Sequence, residues 1–160
     1  MSVWGAIAGG FVGTLVLTTA LRAGNELNLT RTDLPFLLGT AFANDRIRAK
    51  ALGYILHFLV GLAFALIYYA VFVAIGRSGW WLGATFGLAH GVFASTALVG
   101  TLLPLVHPRM GTRLTAAPSV ALLEPPGFLM LNYGTQTPLV ALAAHIAYGT
   151  LVGGFFSLTS

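Results

Sequence analysis

Long runs without a charged side chain dominate this chain: Met1–Leu21, Ala51–Gly76, Ser78–Pro108 and Pro125–Ser160 contain no Asp, Glu, Lys or Arg. A helix covers the hydrocarbon core of a bilayer with about 20 apolar residues. The pattern therefore predicts four transmembrane helices near Val3–Leu21, Ala51–Ile75, Trp80–Val106 and Pro138–Leu158. The first is expected to be retained, because no basic segment precedes it and it is longer than the roughly 7–15 apolar residues of a signal sequence. Two intervening segments, Asp33–Phe42 and Ser119–Leu131, are too short to cross. Proline near the start of each suits the first turn of a helix, and both are expected to be short elements in or near the inner interface.

Composition points the same way. Of 160 residues, 57% are apolar and 8% are charged, against roughly 25% charged in ordinary soluble domains. Mean hydropathy is +0.86. So few charges cannot cover a water-facing surface, which excludes a soluble enzyme and a disordered chain. The net charge of +4 is spread over loops, so it reads as an orientation signal and not as a nucleic-acid-binding stripe. The absence of cysteine removes disulfides, iron–sulfur clusters and thiolate chemistry.

Charge asymmetry then sets the expected orientation. Arg22, Arg31, Arg46, Arg48 and Lys50 lie between the first and second spans, Arg109 and Arg113 lie between the third and fourth, and the other face holds Arg77 alone. By the positive-inside bias both long loops are cytoplasmic and both termini lie outside. Trp4, Trp80 and Trp81 then form an outer aromatic belt. Cations at the start of the second span oppose the helix dipole by a few tenths of a kcal/mol each, so orientation and lipid headgroups account for them better than helix stability does.

Small residues recur in register. The first span carries Gly5, Gly9 and Gly13, and the third carries Gly83, Gly87, Gly91 and Ser95. The second carries Gly53, His57, Gly61 and Ala65, and the fourth carries Ala141, His145, Gly149 and Gly153, with histidine on the same rung. Such rows let helix backbones approach closely in lipid. Each half reads as a glycine-ladder helix, an acid–proline–apolar segment and a histidine-ladder helix. Two spans per half predict parallel repeats about a pseudo-twofold along the membrane normal. His57 and His145 are then expected at a common depth, about seven residues or roughly 10 Å inside the cytoplasmic helix ends.

Ionisable groups within a membrane are candidates for function. His57, His90 and His145 qualify, whereas His107, before Pro108 and Arg109, reads as a headgroup-level residue. The plainest expectation is that these rings hydrogen-bond to Thr14, Thr18, Ser95, Thr96 or backbone carbonyls, at about 0.6 kcal/mol each. A second is b-type haem, with His57 and His145 as axial ligands. A third brings Asp33 and Glu124 up to the histidines as acid partners for a divalent metal or a proton, the alternative being that both acids form surface ion pairs. A fourth is a small-solute or ion pathway formed by an oligomer. No metalloprotease, phosphate-loop or dinucleotide spacing is present. Tyr68, Tyr69 and Tyr148 are read as packing or interface residues.

The stretch Leu52-Gly-Tyr-Ile-Leu-His57-Phe-Leu-Val-Gly61 with Tyr68, the stretch His145-Ile-Ala-Tyr148-Gly149, and the opening Ala8-Gly9-Gly10-Phe-Val-Gly13-Thr14 together resemble a broad group of small bacterial inner-membrane proteins of unknown function. The matching positions are His57, Gly61, His145 and Gly149. The resemblance implies four spans and a bacterial membrane, and no activity.

The sequence thus predicts an all-α membrane protein, residues 1–160 forming a single transmembrane domain of two parallel hairpin repeats with short interfacial segments in the inner loops. The expected role is non-enzymatic, as a structural or assembly subunit of a larger membrane complex. Its expected partners are the lipid bilayer and other membrane subunits or further copies of itself, with no nucleic acid. Haem-based electron transfer and oligomeric transport are the alternatives.

Overall fold

The computed structural model describes residues 2–110 and 123–158; Arg113 and the 119–122 part of the second loop segment lie outside the described residues. Four spans are long and apolar enough to cross a membrane: Val3–Glu26, Arg46–Ile75, Trp80–Val106 and Thr137–Leu158. In chain order the helices are α1 (Val3–Glu26), α2 (Leu34–Gly39), α3 (Arg46–Ile75), α4 (Trp80–Phe93), a π-helical stretch (Ala94–Leu102), α5 (Leu103–Val106), a 3-10 turn (Phe128–Tyr133) and α6 (Thr137–Leu158).

Two helices outrun the uncharged runs that predict them. The Asp45 side chain caps α3 by accepting from the Arg48 amide, which satisfies one orphan N–H of the first turn and draws Arg46, Arg48 and Lys50 into the helix. Arg22 and Glu26 pair one turn apart at 2.9 Å and carry α1 past Leu21. Asp33 caps α2, with Pro35 in its first turn. The second loop segment differs from expectation: Pro125 and Pro126 are not helical, and the 3-10 turn begins only after Gly127.

α6 is the hub, packed along α1 on one side and α4 on the other, while α1 also packs on α3. Within their most apolar windows α1 and α6 are each 44% buried, against 17% for α3. The glycine rows explain the closeness. A Cβ on Gly83 or Gly87 would collide with the Gly149 or His145 carbonyl, and one on Gly153 with the Gly79 carbonyl. α4 and α6 therefore meet backbone to backbone. On the other side Gly13 receives the ring of Tyr148, Gly61 receives Thr14, and Gly9 lies against Val152 and Phe155. Gly5 is buried on α1, and Gly91 sits against His145. Gly53 has a different partner from the one its ladder suggests: it receives the Pro35 carbonyl and so seats α2 on the first turns of α3.

α3 and α4 meet differently, through rings. Phe72 packs edge-on to Phe86 at 5.3 Å, and Tyr68 contacts Phe86 at 5.7 Å. Phe72, Tyr148, Val152 and Phe156 are the largest fully buried apolar side chains. Outward positions of α3 such as Ile55, Leu59 and Ile67 are more than half exposed, as lipid-facing residues should be.

These contacts place the start of α1, the start of α4 and the end of α6 at one end of the bundle, together with Trp4 and the stacked Trp80 and Trp81. The opposite end carries the loops. There Lys50 pairs with Asp33 at 3.5 Å, Arg31 pairs with Glu124 at 3.2 Å, and the hydroxyls of Thr30 and Thr137 are 2.8 Å apart. Arg22, Arg46, Arg48 and Arg109 belong to this end and Arg77 to the other.

Gly149→Ala is expected to destabilise the protein by about 1–3 kcal/mol, since overpacking against backbone must force helices apart. The new Cβ would lie 2.8 Å from the Gly87 amide nitrogen. Gly154→Ala, with nothing within 4 Å, is expected to stay within about 0.5 kcal/mol of the parent. Thermal unfolding of both variants in the same detergent checks the contrast.

Candidate functional site: a histidine-lined chamber

Because α6 is drawn onto α4 by glycine while α3 is spaced from α4 by rings, the bundle is open along the α3–α4 side. A cavity of about 280 Å³ occupies that side. α3 contributes His57, Val60, Gly61 and Phe64; the third span contributes His90 and the inner face of its π-helical stretch; α6 contributes His145 and Tyr148. Leu34 and Leu38 of α2 line it at the loop end, and Thr14 and Leu17 of α1 line its back. Val60 and Leu102 belong to this lining yet are 45% and 50% exposed. They form a mouth on the outer, apolar side of the helices, so the cavity opens sideways and not at an end of the bundle.

The π-helical stretch shapes one wall. Pro104, just beyond the stretch, has no N–H to give to the preceding turn, and within the stretch the Thr101 hydroxyl donates 2.8 Å to the Thr96 carbonyl five residues back. A π-helix has a wider turn, and single π-turns within α-helices recur at functional sites. Here Ala94, Leu98, Val99 and Leu102 of the stretch face the cavity, while Gly100 lies against the Gly127 carbonyl on the opposite side.

All three intramembrane histidines reach this one space. His57 and His145 are 7% and 8% exposed, so both rings point into the bundle and neither faces lipid. The His145 Nδ1 donates to the Ala141 carbonyl at 2.7 Å, which in the neutral ring leaves Nε2 as an acceptor. His90 stacks on Phe64 with ring centroids 3.9 Å apart, lies edge-on to His145 at 4.9 Å, and has its Nδ1 3.3 Å from the Tyr68 hydroxyl. The His57 Nε2 is buried and has no hydrogen-bond partner among the described residues. The bonds expected from Thr14 and Thr18 go elsewhere: both hydroxyls donate back along α1, to Gly10 and Thr14 carbonyls at 2.6 Å.

Asp33 and Glu124 do not meet the histidines, since Lys50 and Arg31 hold them at the loop end. That outcome follows from proximity of loop cations, and it leaves the chamber without a carboxylate. Among the described residues no group of three His, Cys, Asp or Glu is placed to hold a metal ion. A porphyrin carries four pyrrole rings. The chamber is only about twice the roughly 150 Å³ that accepts one benzene ring, and Phe64 already covers one face of His90.

Two tyrosines read as packing residues carry polar contacts here. Tyr148 donates 2.6 Å to the Gly61 carbonyl and ties α6 to α3 across the bundle, and Tyr68 meets His90. Their spacing holds the signal: Tyr148 is one turn beyond His145, and Tyr68 continues the stripe His57–Gly61–Ala65 on α3.

His107 is also buried, at 3% exposure, at the loop end of the third span. Its Nε2 donates 3.1 Å to the Leu37 carbonyl and its Nδ1 accepts 3.1 Å from the Arg109 amide. The ring thereby pins the end of the third span to α2. Burial pushes His107 below its ordinary value of 6.5, the nearby Arg109 adds to this, and the Leu37 bond opposes it. A lowered folded-state value means that the stabilisation is complete above the unfolded value and fades as pH falls below it. Wild type is therefore expected to melt well above His107→Asn near about pH 7.5, with the gap narrowing toward about pH 5.5; melting curves of the two proteins at both values measure it.

No protein-family profile matches this chain, and neither a curated protein nor a solved structure shows significant similarity to it.

Proposed function

We propose that this chain is an integral membrane protein that takes a small, largely apolar molecule from the bilayer and holds it in the chamber beside His57, His90 and His145. The observation that carries this reading is the chamber itself: about 280 Å³, walled by apolar side chains, with imidazoles inside and exposed Val60 and Leu102 at its mouth. Apolar pockets with a few convergent polar groups are the usual form of a small-molecule site. The glycine rows do not argue for a partner subunit, because α1, α4 and α6 spend them on one another.

In this reading the Arg- and Lys-rich end is cytoplasmic, the tryptophan end and both termini lie outside, and the membrane is a bacterial inner membrane. The two halves are duplicated hairpins, supported by the shared ladder and by His57 and His145 lining one space. After duplication the two halves diverged in how their helices meet: glycine closes α1 on α6, and aromatic rings space α3 from α4.

Naphthalene, a bilayer-soluble probe of suitable size, tests the proposal. Full-length protein in lipid nanodiscs is expected to bind it saturably beyond its partition into empty nanodiscs. Ala94→Phe and Leu98→Trp, which fill the chamber from the π-helical wall, are expected to abolish the saturable part. Uptake equal to that of empty nanodiscs, or unchanged binding in both variants, would refute the proposal.

A further inference from the structure

The chamber has one polar region, and its chemistry restricts what can sit there. His57 is more than nine-tenths buried, lines the cavity, and leaves its Nε2 without a partner among the described residues. An unsatisfied buried nitrogen is costly unless something meets it. His145 presents a second ring to the same cavity, and its Nδ1 is already committed to the Ala141 carbonyl. Its Nε2 therefore offers a lone pair in the neutral ring.

Among the described residues no Arg, Lys, Asp or Glu lines the cavity. A carboxylate or ammonium ligand would lie there as an unpaired charge, which a low-dielectric site does not tolerate. Of the other polar side chains in the lining, the Thr14 and Tyr148 hydroxyls already donate to backbone carbonyls, and the His90 Nδ1 lies 3.3 Å from the Tyr68 hydroxyl. The remaining wall is flat and aromatic where Phe64 stacks on His90. The volume is about twice that of a cavity that accepts benzene, which suits one or two fused rings.

Building on the binding-chamber reading, we infer that the ligand is a membrane-soluble ring compound carrying a hydroxyl, of the phenol or quinol class, and that His57 and His145 recognise that hydroxyl. A ring hydroxyl both donates and accepts. Where the His57 Nε2 carries the proton, the hydroxyl accepts from it and donates to the His145 lone pair; in the other tautomer of His57 its single proton goes to one of the two rings. A ring ether or an unsubstituted ring cannot donate to either. His57 and His145 are binding residues in this scheme, and no bond is made or broken.

The test compares 1-naphthol, 1-methoxynaphthalene and naphthalene on the full-length protein in nanodiscs, each corrected for partition into empty nanodiscs. One hydrogen bond to a buried partner corresponds to about a tenfold preference. Wild type is thus expected to bind 1-naphthol about tenfold more tightly than naphthalene, with 1-methoxynaphthalene, which can accept but not donate, weaker than 1-naphthol. His57→Leu is expected to keep naphthalene binding and lose most of the naphthol preference. His57→Gln, which restores a hydrogen-bonding group, keeps part of it and covers the case in which the leucine variant does not fold. Independently, the ¹⁵N resonance of the His57 Nε2 is expected to move on adding 1-naphthol and to stay put on adding naphthalene. Equal affinity of wild type for naphthol and naphthalene, or an intact preference in His57→Leu, overturns the inference while leaving the chamber standing. Absence of saturable binding by all three probes removes the chamber reading and this inference with it.

Discussion

Backbone contact between α4 and α6 is the constraint on which the arrangement turns. In lipid there is no hydrophobic force pressing one helix on another, so association depends on close van der Waals packing and on hydrogen bonds between spans. Gly83 and Gly87 on one helix and Gly149 and Gly153 on the other bring the two backbones into direct contact along that seam. α6 is pulled fully onto α4, and its opposite face is covered by α1 through Gly9 and Gly13. α3 is then held by α1, by the Tyr148 bond to the Gly61 carbonyl, and by the aromatic cluster around Phe72. Rings keep helices further apart than glycines do. The space left between α3 and the third span is the chamber.

That same geometry explains why polar groups collect where they do. A membrane protein inverts the usual cost of exposure: leucine and isoleucine are at ease on the outside of α3, and histidine must go inward. The α3–α4 side is the part of the interior with room for rings, so His57, His90 and His145 share it with Phe64, Tyr68 and Tyr148. Hydrogen bonds are then assigned locally. Threonines on α1 satisfy themselves on their own helix, His145 does the same through Ala141, and His90 turns to Tyr68. Among the described residues the His57 Nε2 is left without a partner, as is the buried Ser95 hydroxyl, and His57 lines the cavity. The π-helical widening at Ala94–Leu102 shapes the facing wall, and the loop around Gly127 tucks behind it.

Much of this is written plainly in the amino-acid sequence, and the parts that are not have physical reasons. Hydropathy marks the four spans because a 30-residue helix such as α3 has no other way to be so apolar. The ladders mark closely packed faces, and the inward direction of His57 and His145 follows from their place on those faces. Which ladder meets which helix is another matter. Gly53 binds α2 instead of a span, because a glycine stripe specifies closeness and not the partner. The chamber was hidden for a similar reason, since it comes from a difference between two interfaces and no local motif encodes a difference. The role of His107 is not legible from its neighbours Pro108 and Arg109, because its bond to the Leu37 carbonyl depends on a contact far away in sequence. The left-handed backbone at Leu129 and Met130 lacks any sequence signal, as both residues normally avoid that region.

The central claim, that the chamber opens to hydrocarbon along the α3–α4 side, is tested most directly by methyl NMR in nanodiscs containing lipids with spin labels on their acyl chains. Ala94 and Val99 are buried and line the chamber, while Ala65 and Val152 are fully buried and pack in the hydrophobic core of the bundle. The account predicts that the Ala94 and Val99 methyl signals broaden strongly and that those of Ala65 and Val152 do not. Equal protection of all four methyls would contradict it.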